Sequence, residues 1–188
     1  MGERETEVTT SSIHMLLKAF DLVSEGLLSA SPEAETQPRE LPMIFWDKIL
    51  EMHGQGVRLV LEKRLCPTDM KPRKGWLSIP TGQIQAKFLT DEENRALDNK
   101  EAITVSLIEP SLQLRHGLQL QKWHKKRNYF SYVLTKEWTA VTHSNAQNEL
   151  EEGCLIQLWA FRVNGDLCFC LVNCEASPAA VENMATPE

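Results

Sequence analysis

Positively charged side chains concentrate in two short stretches of the chain, and their chemistry suits phosphate binding. The first stretch contains Lys63, Arg64, Lys71, Arg73 and Lys74, and the second contains Arg115, Lys122, Lys125, Lys126 and Arg127. Trp123, His124, Asn128 and Tyr129 are interleaved with the second stretch. Cations pair with phosphates, whereas arginine and asparagine also read the edges of bases. Either stretch alone is typical of a solvated loop, but the two together favour nucleic-acid binding.

The net charge of −6 is unevenly distributed along the 188 residues. Residues 1–56 contain four Lys and Arg against ten Asp and Glu, and residues 175–188 contain none against three. Residues 57–174 contain sixteen against thirteen, which is a net charge of +3. Because local charge decides what a surface attracts, the acidic total does not exclude a polyanionic partner.

The sequence has no signature of an enzyme. It lacks a Gly-rich phosphate loop, a GxSxG motif and an HExxH motif. The acidic runs at 91–93 and 149–152 are typical of solvated turns or helix starts. The five cysteines include no CxxC pair, which favours reduced, buried thiols over a zinc site built from Cys168, Cys170 and His143. We therefore expect no catalytic residue, metal or cofactor, and no small-molecule substrate.

The N-terminal part, residues 1–56, is interpreted as an acidic extension. Residues 12–28 have the apolar spacing of an amphipathic helix, with its apolar face running from Ile13 to Leu27. This helix either packs on its own domain or binds a protein partner, and the pattern favours neither. Residues 29–40 lack periodicity and contain two prolines, so we expect a disordered linker. No apolar run approaches the roughly 20 residues of a membrane helix, so no membrane contact is expected.

A second helix is predicted at 42–53, between Pro42 and Gly54. Beyond it the apolar period changes from 3.6 to 2, which indicates strands. Seven strands are predicted, at 57–65, 76–79, 102–108, 118–123, 129–134, 155–162 and 167–173. Asn164-Gly165 joins the last two as a hairpin, because both residues tolerate positive φ. Alternation also places Cys168, Cys170 and Cys174 on one face with Val172.

Two short helical stretches are predicted between the strands. One lies within 81–97, where Thr90 and Glu93 form a capping box, and the other begins at Thr135 and continues towards His143. Many short strands and few helical turns indicate a mainly β, closed or nearly closed barrel. The side chains expected in the core are Ile79, Leu134, Trp138, Leu158 and Phe161, and Trp123 is expected to be partly exposed.

Several sequence motifs resemble the plant-specific B-three (B3) DNA-binding domain. Residues 65–70, LCPTDM, and 76–80, WLSIP, resemble its opening strand, Ser/Thr-Asp element and Ile-Pro strand end. Residues 131–138, SYVLTKEW, resemble its later signature, a strand that enters a helix through Thr-Lys-x-Trp. Residues 150–158 resemble its Leu-x-x-Gly-Asp turn and following strand. The stretches around VRLVLEKRL, IQLWAFR and LCFCLV resemble an atypical plant subgroup first catalogued as a domain of unknown function.

This resemblance implies a seven-stranded open pseudo-barrel with two short helices over 57–174. Residues 175–188, with three acidic residues and no Lys or Arg, are interpreted as a disordered acidic tail. It implies that two arms grip the major groove of double-stranded DNA, the N-arm (residues 63–74) and the C-arm (residues 123–130). The implied DNA-binding residues are Lys63, Arg64, Thr68, Asp69, Lys71, Arg73, Lys74, Trp123, His124, Lys125, Lys126, Arg127, Asn128 and Tyr129. The function implied is that of a nuclear, sequence-specific transcriptional regulator that needs no cofactor. The alternative is a β-barrel protein-interaction module without specific DNA binding.

Overall fold

Seven strands form a single sheet in the computed structural model of the chain, which describes residues 40–73, 75–124 and 129–176. The strands are β1 (Gln55–Arg64), β2 (Leu77–Pro80), β3 (Ile103–Ile108), β4 (Leu114–His124), β5 (Phe130–Thr135), β6 (Leu155–Val163) and β7 (Asp166–Asn173). Their order in the sheet is β1-β6-β7-β3-β4-β5-β2. The sheet curls into a nearly closed barrel. β1 and β2 are the two end strands of this order and do not pair with each other in the described part of the chain, so the barrel is open between them. All seven predicted strands and the mainly β, nearly closed barrel are confirmed.

The pairing is antiparallel except between β3 and β7, which run parallel. The β6–β7 hairpin turns at Asn164 and Gly165, whose φ angles of 52° and 94° lie in the left-handed region. Asparagine and glycine tolerate this region best, so the sequence signal for this hairpin is confirmed. β4 begins four residues before its predicted start, because Leu114 and Arg115 already pair with the end of β3.

The barrel interior is filled by the side chains that alternation points inward. Ile79, Leu134, Trp138 and Leu158 are completely buried, as predicted. They belong to one apolar cluster to which all seven strands contribute. Phe161 is also buried, but it lies in a second cluster on the outer face of the sheet.

Helix α1 (Met43–Glu51) covers that outer face, and it confirms the helix predicted at 42–53. Its buried residues Phe45 and Ile49, together with Leu41, pack against Ile108, Phe161, Cys168, Cys170 and Val172. At the turn into β1, a Cβ on Gly54 would lie 2.5 Å from Cγ2 of Ile49 and 2.8 Å from Cδ2 of Phe161. Only glycine allows so close an approach. The described residues from Leu41 onward thus form one compact unit that includes α1, although the charge pattern of the sequence places this helix in the acidic extension.

Helix α2 (Asp91–Asp98) begins with the predicted capping box. The backbone N–H of Glu93 donates to Oγ1 of Thr90 at 3.2 Å, and the N–H of Thr90 donates to Oε2 of Glu93 at 2.8 Å. This reciprocal pair satisfies two of the backbone donors that a helix start leaves without partners. The predicted capping box is therefore confirmed.

The helical stretch predicted from Thr135 begins later than expected. Thr135 is still the last residue of β5, and Lys136 has a φ of 60°, which interrupts both strand and helix. Helical backbone starts only at Trp138 and continues as a single wide turn over Ala140–Ser144. The predicted start was wrong because a left-handed residue between two elements leaves no periodic signal.

The cysteine prediction is confirmed for two of its three residues. Cys168 and Cys170 are buried against α1 with Val172, and their burial raises the pKa of both thiols. Cys174 is exposed because it follows the end of β7, so its placement on the buried face was wrong. The helix expected at 12–28, the linker up to residue 39 and residues 177–188 of the tail lie outside the described residues. No helix among the described residues is long and apolar enough to cross a membrane.

Candidate nucleic-acid interface

The two predicted arms meet at three strands that are neighbours in the sheet, β4, β5 and β2. The N-arm leads from β1 into β2, and the C-arm joins β4 to β5. β5 pairs with β2 on one side and with β4 on the other. The ring centroids of Trp76, just after the N-arm, and Trp123, at the start of the C-arm, lie 4.9 Å apart. This aromatic contact ties the two arms together.

The carboxylate of Asp69 connects the parts of the N-arm by hydrogen bonds. This fully buried carboxylate accepts hydrogen bonds from Nζ of Lys63 at 2.7 Å and from the backbone N–H of Ser78 at 3.1 Å. The backbone N–H and the thiol of Cys66 also donate to it, at 2.9 and 3.0 Å. One carboxylate therefore links the end of β1, the turn of the arm and the start of β2. Asp69 and Lys63, both predicted among the DNA-binding residues, are placed where they shape the arm.

A second contact anchors the N-arm to the barrel core. The indole N–H of the buried Trp138 donates to the backbone oxygen of Asp69 at 2.7 Å. Met70 packs on the main apolar cluster, whereas Lys71 and Arg73 are exposed and Thr68 is half-buried. The base of the arm is thus held in place, and its two described tip cations face solvent.

Arg64 lies at the start of the N-arm, and its side chain forms a hydrogen bond and an ion pair within the protein. Its guanidinium donates to the backbone oxygen of Gly153 at 2.7 Å and to Oε1 of Glu175 at 2.9 Å. The side chain is still 63% exposed, so the ion pair is a surface pair that water and salt weaken. A phosphate or a base edge can therefore compete with Glu175 for this guanidinium.

The described part of the C-arm presents aromatic and polar groups to solvent. The indole of Trp123 is 38% exposed and donates its N–H to Oε1 of Gln121 at 2.8 Å. The partial exposure predicted for Trp123 is confirmed. Tyr129 is 70% exposed, and His124 is exposed beside Phe130. The hydroxyl of Thr81 donates to the backbone oxygen of Phe130 at 3.1 Å, which fastens the arm to the residues that follow β2.

The second basic stretch does not stay together in the fold. Arg115 lies at the other end of β4 and forms ion pairs with Glu109 and Glu137. It is therefore no part of the C-arm. Lys122 stays at the base of the arm, where its ammonium lies 3.9 Å from the centroid of the Phe130 ring and pairs with Asp98. The predicted site residues outside the described ranges are Lys74, Lys125, Lys126, Arg127 and Asn128.

Trp76 is the residue that sequence reasoning missed. Trp76 belongs to the motif WLSIP, but its contact with Trp123 joins elements that are far apart along the chain. The sequence indicates this residue only as a large aromatic side chain after a basic loop, where the strand predicted at 76–79 begins. The assembled surface offers exposed cations on one arm and stackable rings on the other, a combination suited to a phosphate backbone with exposed bases or grooves.

Comparison with known proteins identifies the family. Residues 37–175 match the family model described as B3 domain-containing protein At2g31720-like. Among relatives from Arabidopsis thaliana, B3 domain-containing protein At1g05920 is 35% identical over 134 residues, which is 64% of this chain and 41% of that protein. Putative B3 domain-containing protein At3g49610 is 33% identical over 157 residues, which is 74% of this chain and 46% of that protein.

The alignments cover only part of the length of each relative. Putative B3 domain-containing protein At2g27410 is 32% identical over 129 residues, which cover 49% of its length. The chain thus spans less than half of the relatives it matches, whereas the family model covers its whole described barrel. This match agrees with the observed fold, which has seven strands in a nearly closed barrel and two arms at neighbouring strands. The chain therefore belongs to the plant family of B3 domain-containing proteins.

Proposed function

We propose that this protein is a sequence-specific double-stranded DNA-binding protein that regulates transcription in the nucleus. In this proposal the N-arm and the C-arm grip the major groove from two sides. The observation that carries it is the contact between Trp76 and Trp123, which lie beside two stretches whose sequences are rich in Lys and Arg. Membership of the B3 family supports the proposal, since such domains are typically of the DNA-binding transcription-factor type.

The residue types divide the work between affinity and specificity. Lysines act as point charges on phosphates, so Lys71, Lys125 and Lys126 would position the duplex without reading its sequence. Arginine pairs bidentately with guanine and asparagine with adenine, so the residues that would read bases are Arg64, Arg73, Arg127 and Asn128. The major groove is about 12 Å wide, and the arm proposed to enter it joins the ends of β4 and β5, which pair as far as His124 and Phe130.

The salt dependence of binding tests the phosphate contacts. Fluorescence anisotropy on a duplex selected from a random pool should give an affinity that falls steeply with salt concentration. Lys126→Ala should flatten the slope of log affinity against log salt by about 0.9, because one phosphate is no longer neutralised. Lys87→Ala is the matched control, since Lys87 lies 72% exposed near the Gln55 end of β1, away from the N-arm.

Base reading requires a different comparison. Arg127→Ala should relax the preference at one or two base pairs, at about 1–3 kcal/mol for each lost contact, and should change non-specific affinity much less. If wild type and all arm variants bind DNA equally weakly at low salt, the proposal fails. The family resemblance would then describe a barrel that acts as a protein-interaction module.

A further inference from the structure

A depression of about 480 Å³ lies beside the C-arm. Its walls are Lys100 and Glu101 from the turn between α2 and β3, and Gln121, Lys122, Trp123 and His124 from the end of β4. Trp123 and His124 also belong to the C-arm. The depression is therefore continuous with the proposed interface but adds a third element to it.

Lys100 is the cation in this depression that is available to a ligand. Its side chain is exposed and forms no ion pair with any residue of the described ranges. The other lysine of the depression, Lys122, is engaged by Asp98 and by the ring of Phe130. Lys100 is held in a left-handed conformation with a φ of 65°, which ends α2 and sets the direction of the turn.

The remaining walls suit a sugar–phosphate unit. The exposed part of the Trp123 indole provides an apolar surface for a sugar ring. Oε1 of Gln121 accepts the indole N–H, so the side-chain NH₂ of Gln121 is left as a donor for an oxygen. The carboxylate of Glu101 repels an anion, so it lowers the affinity of the depression for a phosphate. Removal of this single charge should raise that affinity.

We propose that Lys100 contacts a DNA phosphate that flanks the base pairs held by the C-arm, with the sugar of that nucleotide against Trp123. This inference rests on the proposed function. A duplex held by the C-arm brings its backbone past Trp123 and His124, and the next cation along this wall is Lys100. The footprint on DNA is therefore longer on the C-arm side than the two arms alone would make it.

Two duplexes test the inference, one limited to the selected site and one extended by several base pairs on both sides. The variant is Lys100→Asn, because asparagine tolerates the left-handed backbone. On the extended duplex it should flatten the salt slope by about 0.9, so a tenfold rise in salt lowers affinity about eightfold less than for wild type. On the short duplex it should have no effect. Lys100→Arg should restore the slope, and Lys87→Ala should leave it unchanged.

Glu101→Gln should change the affinity in the opposite direction, so this test does not depend on a loss of binding. It removes the opposing carboxylate and should raise affinity for the extended duplex while leaving the short duplex unchanged. An unaltered slope for Lys100→Asn on the extended duplex overturns the inference. If Lys71→Ala and Arg73→Ala change that slope, the proposed function survives this failure. If none of these variants changes it, the proposed function fails as well.

A free nucleotide has the same sugar–phosphate chemistry and must be separated from DNA. Titration with a nucleoside monophosphate, followed by tryptophan fluorescence in wild type and Lys100→Asn, measures this directly. Millimolar or weaker binding is expected, because one phosphate without the arms supplies little affinity. Tight, Lys100-dependent nucleotide binding with an unchanged duplex slope would overturn the DNA assignment.

Discussion

At the level of single residues, Asp69 and Trp138 together hold the N-arm on the barrel. The carboxylate of Asp69 accepts from Lys63, Cys66 and Ser78, and its backbone oxygen accepts from the indole of Trp138. A buried charge is tolerated only when it is paired and hydrogen-bonded, and this one is both. The arm is therefore built around a polar centre that water does not reach.

Trp138 should be among the most sensitive positions of the barrel. Trp138→Ala should lower the free energy of unfolding by about 3–5 kcal/mol, because a completely buried ring leaves a cavity. Trp138→Phe keeps most of the apolar volume but leaves the oxygen of Asp69 without its donor, so it should cost less, about 1–3 kcal/mol. Urea unfolding measures both values. Trp46→Ala, at a tryptophan that is 36% exposed on α1, is the control. An equal loss at both positions would contradict the anchoring role of Trp138.

The residue types of the N-arm were predictable, but their roles were not. Lys63, in the first predicted strand, and Lys71, in the loop after it, are both lysines of the first basic stretch. In the fold one is paired with a buried carboxylate and the other is exposed. The difference depends on Ser78 and Trp138, residues of other elements that complete the environment of Asp69. Sequence spacing contains no information on such partners.

At the level of elements, Glu93 couples α2 to the strand β6. Its carboxylate caps the helix at Thr90 and forms a two-pronged pair with the guanidinium of Arg162, with one contact at 2.7 Å. Burial alone would raise the pKa of Glu93. The hydrogen bonds and charge of Arg162, with the N–H of Thr90, outweigh it and hold that pKa below its ordinary value of 4.5. Arg162 also donates to the backbone oxygen of Phe88, so the loop before α2 is fixed by the same group.

The lowered pKa of Glu93 predicts a pH-dependent contribution to stability. A carboxyl whose folded pKa is depressed stabilises the fold above its unfolded pKa of about 4.5, and this stabilisation is lost as the pH falls through the folded pKa. Glu93→Gln should therefore cost about 1–3 kcal/mol at pH 7 and progressively less below pH 4.5. Thermal and urea unfolding across pH measure this difference.

Glu92→Gln is the matched control for this prediction. Glu92 lies in the same helical turn, but it is 76% exposed and pairs with Arg95 at the surface. Its substitution should change the free energy of unfolding by no more than about 0.5 kcal/mol at any pH. A pH-independent cost for Glu93→Gln would show that its effect comes from packing and not from the charge.

At the level of the whole molecule, the sheet buries apolar residues on both faces. One cluster fills the barrel, and the other lies between α1 and the outer face of β3, β6 and β7. A sheet face that carries Ile108, Phe161 and Cys170 needs a cover, since exposed apolar area costs about 25 cal/mol per Å². α1 is that cover, which makes it a part of the barrel unit.

Ile49→Ala tests this coupling. Ile49 is completely buried beneath α1, so its truncation should cost about 2–5 kcal/mol, and the loss should appear in the unfolding of the barrel itself. The fluorescence of the interior Trp138 should therefore report the same transition as far-UV circular dichroism. Leu50→Ala, at a neighbour that is 62% exposed, should cost about 1 kcal/mol or less. A barrel transition unchanged by Ile49→Ala would mean that α1 is an independent extension. Limited proteolysis should agree, with a resistant core that begins near residue 41.

Sequence alone determined much of the local structure of this protein. Alternation of apolar residues, Asn164-Gly165 and the Thr90–Glu93 capping box depend on neighbours in the chain, and the structure has each of these elements. Only the tertiary structure brought Trp76 to Trp123, paired Arg115 with Glu137, and placed Lys100 beside the C-arm. These contacts join residues whose separation is set by strand order and not by spacing. Period-2 patterns specify which face of a strand is buried, but they leave open which strand lies next to it.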